Sequence, residues 1–153
     1  MIACLLLKMD IATMSGKVLI VDDNPMYRSA LRRNLELRNY EVYEAEDSLS
    51  ALESLSHSSP DVLVTDLDMR TRTEGLDLIR QVTQNYPILP VILISAVGTF
   101  DEGALAKQYG ALYVLSKGQS GQEKESLPTL LEHAIERHKM DEQSLCQFES
   151  WRE

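Results

Sequence analysis

Four short apolar runs, each stopped by a polar residue, set most of what this chain can fold into. Residues 17–21 (KVLIV) run into Asp22-Asp23, and residues 61–65 (DVLVT) into Asp66. Residues 91–94 (VILI) end at Ser95, and residues 111–115 (ALYVL) at Ser116-Lys117. Each run is short, and most are rich in β-branched side chains. Both alternating faces are apolar, the pattern of a strand covered on both sides. Residues 41–45 (EVYEA) form a further short strand that alternates openly.

Helical spacing fills the intervals. Asn24-Pro25 is a helix entry, with Asn as cap and Pro at the first helical position. Met26, Ala30, Leu31 and Leu35 then recur on one face through residue 37. Asp47 or Ser48 caps a second helix carrying Leu49, Ala51, Leu52 and Leu55. A third follows Gly75 with Leu76, Leu78, Ile79 and Val82, and a fourth covers residues 100–109. The last covers residues 127–139, with Leu127, Leu130, Leu131, Ala134 and Ile135 on one face and a polar loop, 118–126, before it. Five strands alternating with five helices predict an α/β domain, a doubly wound five-stranded parallel sheet with helices on both faces. Ligands of such folds bind outside the carboxyl ends of the strands, where strand order reverses.

The polar stops therefore matter. Asp22, Asp23, Asp66, Ser95 and Lys117 all fall at strand ends, and the topology would gather them in one crevice. Packing alone does not require these residue types. Three carboxylates in one place repel each other unless a cation neutralises them. Mg²⁺ takes oxygen ligands, keeps several waters and needs only a few carboxylates beside a phosphate. Lys117 adds a second positive charge, the Ser95 hydroxyl a donor, and Asp66 a nucleophile able to form an acyl phosphate. Phosphoryl transfer asks mainly for positioning and charge stabilisation, which this set provides.

Bulk properties agree. The chain has 153 residues, enough for one domain. Its formal net charge of -9 argues against nonspecific nucleic-acid binding. Cys4 and Cys146 sit near opposite ends without metal spacing, which points to a reducing compartment. The apolar start, residues 1–7, is far shorter than the roughly 20 residues that span a bilayer.

The stretches VLIVDDNP (18–25), DVLVTDLDM (61–69), VILISA (91–96) and GALYVLSKG (110–118) resemble the response-regulator receiver family, closest in plan to its stand-alone chemotaxis type. The resemblance covers residues 17–139, leaving residues 1–16 as an N-terminal extension and 140–153 as a C-terminal tail. It implies a flavodoxin-like receiver fold and a cytoplasmic two-component switch. A sensor histidine kinase or histidine phosphotransfer protein would pass a phosphoryl group to Asp66. Asp22, Asp23 and Asp66 would hold Mg²⁺ with a backbone carbonyl, that of Asp68. Ser95 would move toward the phosphoryl group, and Lys117 would pair with it. Ala96 keeps the following position small. The output would be contact with a downstream protein through residues 100–139, with no nucleic acid and no membrane involved. The chain would be no enzyme in the ordinary sense, but a phosphoacceptor that also promotes its own phosphorylation and dephosphorylation.

Four positions depart from the family pattern. Arg70 follows Met69 where proline is usual, in a loop that looks one residue longer than usual. Val114 occupies the usual aromatic position, and its neighbour Tyr113 should face the other side of the strand. Gly118 follows Lys117 where a proline is common. Residues 118–126 make a roomy loop. Asp68 also adds charge beside the site and would influence the lifetime of the acyl phosphate.

Two rival readings remain. An inactive receiver could serve only as a binding module. Asp66-Leu67-Asp68 also resembles the acid pair of haloacid-dehalogenase-type phosphatases, but the metal-binding acids of that family lie after its lysine, and Asp22-Asp23 lie before Lys117. After residue 139 about a dozen residues remain, too few for a DNA-binding domain.

Overall fold

The computed structural model describes residues 16–67, 69–71, 73–95, 100–117 and 122–150. Asp68, Ala96, Gly118 and the segment 1–15 fall outside these, with the expectations attached to them. The strands are β1 (Gly16–Val21), β2 (Tyr40–Ala45), β3 (Val62–Asp66), β4 (Val91–Ser95) and β5 (Tyr113–Ser116). The helices are α1 (Pro25–Glu36), α2 (Ser48–His57), α3 (Glu74–Asn85), α4 (Phe100–Tyr109) and α5 (Gln122–Ser150). All strand pairs are parallel, in the order β2-β1-β3-β4-β5. This is the doubly wound five-stranded sheet that the alternation predicts.

Strand alternation divides the core in two. Leu19, Val21, Leu63, Val91 and Leu93 pack with Ala51, Leu55, Leu78, Ile79, Val82 and Ala106, from α2, α3 and α4. Val18, Ile20, Val62, Val64, Ile92 and Ile94 pack on the other face with Leu35 of α1 and Leu127, Leu131, Ala134 and Ile135 of α5. Both faces of the central strands are thus dry, which is why their sequences are almost wholly apolar.

Local chemistry places the joints. Asn24 caps α1, its Oδ1 accepting from the N–H of Met26 at 3.0 Å and of Tyr27 at 3.2 Å. Asp47 is the cap of α2, closing a reciprocal box with Ser50. Gly75 opens α3 so tightly against β3 that a Cβ there would run into the carbonyl oxygens of Asp66 and Leu67.

Two elements differ from the sequence reading by more than a residue or so. β5 starts at Tyr113, not 111, because Ala111 is spent on the turn. Its N–H donates to Ala106 O at 2.9 Å, behind Gly110 at φ +120°. α5 starts at Gln122, inside the expected loop, and runs to Ser150, across the boundary drawn at residue 140. Residues 122–126 (QEKES) are soluble helix formers with no apolar period to reveal them. Pro128 lies inside this helix. Among the residues of α5 whose burial is described, the last buried one is His138, whose Nδ1 lies 3.3 Å from Asp61 Oδ1 at the opposite end of the sheet from Asp66. Among the described residues no helix is long and apolar enough to cross a membrane.

Candidate functional site

Strand order reverses between β1 and β3, and both strands end in acid. Asp22 directly follows β1 and keeps its ladder going, its N–H donating to Ala45 O at 3.1 Å. Its carboxylate is almost fully buried and occupied on both oxygens. Oδ1 accepts from the N–H of Asn24 at 2.8 Å and Oδ2 from Lys117 Nζ at 2.6 Å. Arg28 holds the backbone here, donating from Nη1 to Asp22 O at 2.6 Å while its Nε meets Glu44 at 3.2 Å. Asp23, next along the chain, faces solvent.

Asp66 closes β3 and is also buried. One carboxylate oxygen each from Asp22, Asp23 and Asp66 can be chosen so that all lie within 4.8 Å of one another. The donors are all oxygen and negative, the choice of a hard divalent cation, and the exposed Asp23 leaves one side open to water. Three of the four residues expected to hold a metal thus come together. The fourth, Asp68, lies outside the described residues.

Lys117 reaches this cluster from the end of β5. Its Nζ is 3.3 Å from Asp66 Oδ2, besides the shorter contact to Asp22. Its own N–H donates to Ser95 O at 2.7 Å, tying the last two strand ends together. Burial pushes the Asp66 carboxyl above the ordinary carboxylate range, and the neighbouring Asp22 adds to this. The Lys117 ammonium and the Leu67 N–H oppose the shift without cancelling it. Asp66 is therefore a carboxylate short of positive partners.

Ser95 ends β4, one residue past Ile94, which pairs with Asp66 in the register. The Ser95 hydroxyl is buried and has no hydrogen-bond partner among the described residues. Buried donors are almost always satisfied, so an unpaired one marks a place where a partner belongs.

The loop after β3 explains one departure from the family pattern. Arg70 donates its backbone N–H to Glu74 Oε2 at 3.0 Å, a bond that proline could not make. Its guanidinium meets Asp47 at 2.8 Å, and Glu74 Oε1 accepts from the N–H and hydroxyl of Ser48 at 3.2 Å and 3.0 Å. The loop is thereby tied to the start of α2. Of the other departures, Tyr113 packs on the α1/α5 face of the sheet and Val114 on the α3/α4 face, the opposed orientation that alternation predicts.

Sequence reading missed Arg28 and Tyr27. The Tyr27 ring lies under Lys117, its centroid 4.1 Å from Nζ. Nothing in the local pattern announces this, because the contact joins the first turn of α1 to the end of β5.

Known proteins share this fold. Residues 18–127 match the model of the response regulator receiver domain. The response regulator MprA of Mycobacterium ulcerans is 36% identical over 98 residues, which are 64% of this chain and 42% of that protein. A response regulator receiver domain protein from Clostridium thermocellum superposes with a TM-score of 0.73 at 29% identity, over 82% of this chain and 98% of that one. NtrX from Brucella abortus gives 0.76 at 26% identity, over 86% of this chain and 29% of that one. The chain thus spans less than half the length of the curated relatives it matches.

Proposed function

This chain belongs to the response regulator receiver domain family, and on that premise we propose that it is a phosphorylation switch whose phosphoacceptor is Asp66. The observation that carries the reading is the grouping of the Asp22, Asp23 and Asp66 carboxylates with the Lys117 ammonium between two of them.

A phosphohistidine on a sensor kinase or phosphotransfer protein is the donor. An Asp66 carboxylate oxygen attacks phosphorus, a P–O bond forms, and the P–N bond breaks with its electron pair going to the imidazole. Asp22, Asp23 and Asp66, with the backbone carbonyl of Asp68, are the residues that would hold Mg²⁺. That ion would supply positive charge to the carboxylates and to the phosphoryl oxygens when bound. Lys117 swings from Asp22 toward a phosphoryl oxygen, a short move for an ammonium already 3.3 Å from Asp66. The Ser95 hydroxyl donates to another phosphoryl oxygen and so gains the partner it lacks. Hydrolysis reverses the state: water attacks phosphorus and releases phosphate and the Asp66 carboxylate.

The change of charge at the sheet's edge biases α4, β5 and α5 between two arrangements. Those elements then meet a downstream protein. Within this reading residues 17–139 form the signalling unit, which works in the cytoplasm, and its output needs neither membrane nor nucleic acid.

Incubation with acetyl phosphate and Mg²⁺ tests the reading. One phosphoryl group should appear by mass, map to Asp66 and be removed by hydroxylamine, as an acyl phosphate is. No mass gain in the wild type, or an equal gain in Asp66→Asn, would overturn it.

A further inference from the structure

We propose that Tyr27 is a positioning residue for Lys117, its ring face keeping the ammonium in the site when Asp22 is engaged elsewhere. The proposal rests on the phosphorylation switch described above.

The Lys117 side chain is a flexible four-carbon stem with a compact charge at its tip. In this structure two carboxylates and one ring hold that tip: Asp22 at 2.6 Å, Asp66 at 3.3 Å and the Tyr27 centroid at 4.1 Å. The first two belong to carboxylates that would also hold a divalent cation. With a dication beside them, these carboxylates would hold the ammonium less strongly and the ion would repel it. The ring face is the contact that survives. It carries no charge to compete for, and its quadrupole attracts a cation within about 6 Å of the centroid.

Tyr27 is rigidly placed for this task. Its backbone N–H donates to Asn24 Oδ1, in the cap that directly follows Asp22-Asp23. Acid pair, helix cap and ring therefore form one unit, while Lys117 arrives from a different strand. The hydroxyl does not explain why a tyrosine stands here. It is buried and has no hydrogen-bond partner among the described residues, which by itself is unfavourable. Tyr27 lines an apolar groove between α1 and α5 together with Leu31, Leu127 and Pro128. Without the ring, the ammonium would face that groove and leave for water.

Two measurements on the full chain test this. In metal-free protein, the ε-methylene protons of Lys117 should be shifted upfield by the ring current, equally in Tyr27→Phe and not in Tyr27→Leu. An unshifted Lys117 in the wild type would overturn the proposal whatever the protein does with phosphate. Next, beryllofluoride with MgCl₂, a stable mimic of the phosphoryl group, is titrated against each form. Tyr27→Leu should bind it about fivefold more weakly, roughly 1 kcal/mol, while Tyr27→Phe stays close to wild type. In a Lys117→Met background the same Tyr27→Leu change should have no effect. Wild-type affinity in Tyr27→Leu, or a loss that persists without Lys117, would show that the ring only packs. Failure of the wild type to bind beryllofluoride would instead count against the switch itself.

Discussion

Lys117 lies closer to Asp22 than to Asp66, with Nζ 2.6 Å from one carboxylate and 3.3 Å from the other. The lysine that should greet a phosphoryl group thus rests on a carboxylate that would also help to hold a metal ion. On the proposed reading, ammonium and metal would compete for Asp22 in the resting protein and would cooperate only once phosphate brings further oxygens.

Replacing Lys117 by Met should separate these two roles. Mg²⁺ binding to the unphosphorylated protein, followed by calorimetric titration, should be at least as tight as in wild type, because a competing cation is gone. Phosphorylation by acetyl phosphate should slow by about a hundredfold, the usual scale for removing one charge-stabilising donor. Weaker Mg²⁺ binding in Lys117→Met would mean that the lysine helps to build the metal site.

Gly75 should tolerate no side chain. A Cβ at this position meets the backbone oxygens of Asp66 and Leu67, which cannot rotate away as a side chain could. Overpacking of this kind costs about 1–3 kcal/mol. Gly75→Ala should lower the denaturation midpoint accordingly. Since one of the crowded carbonyls belongs to Asp66, the proposed phosphoacceptor, Gly75→Ala should also slow phosphorylation more than Gly103→Ala does. At Gly103 an added Cβ meets only the Val114 side chain, at 3.7 Å.

The fold was legible in the sequence for a simple reason. In the central strands, covered on both faces, nearly every residue before the end is apolar, so the run's stop marks the strand end within a residue or two, and the candidate site lies at those ends. Asp22, Asp66, Ser95 and Lys117 fall where their runs stop. Ala111 and Leu112 broke the rule, being apolar residues used in a turn. The start of α5 was hidden because its first turns are polar throughout. Tyr27, Arg28 and the ties of Arg70 were out of reach for a different reason. Each contact joins segments whose approach depends on how helices settle on the sheet, and no local period encodes that.

The loop after β3 should respond to the kind of substitution at Arg70. Arg70→Ala keeps the backbone N–H to Glu74 and loses an ion pair whose arginine is exposed and whose buried Asp47 keeps its bonds to Ser50, so stability should change by about 1 kcal/mol or less. Arg70→Pro, the family's usual residue, removes the N–H as well and should cost more. Chemical denaturation of the two variants side by side checks this, and equal midpoints would show that the N–H contributes nothing.

Glu74 gives the same loop a dependence on acid. Burial raises its carboxyl, but the N–H and hydroxyl of Ser48 and the N–H groups of Arg70 and Thr71 outweigh that and hold it below the ordinary glutamate range. A group whose folded pKa is depressed stabilises the fold fully above its unfolded pKa, and that contribution is lost as pH falls through the folded value. Wild type should therefore lose stability between about pH 5 and pH 3 more steeply than Glu74→Gln. Urea midpoints across that window decide the matter, and parallel curves would remove Glu74 from the account.

The C-terminal half of α5 is predicted to be dispensable for folding. Up to His138 the helix buries Leu127, Leu131, Ala134 and Ile135 against the sheet, and His138 itself meets Asp61. From Lys139 to Gln147 every residue is exposed except the half-buried Asp141, with Met140 and Leu145 among the exposed. Helical propensity contributes only tenths of a kcal/mol per residue without packing. A chain ending at Lys139 should thus melt within a few degrees of the full chain and still accept phosphate on Asp66. His138→Ala in the full chain should cost more than the whole truncation, because it opens a buried position and strips Asp61 of a partner. A large loss of melting temperature on truncation would instead show that residues 140–150 pack on something the sheet needs.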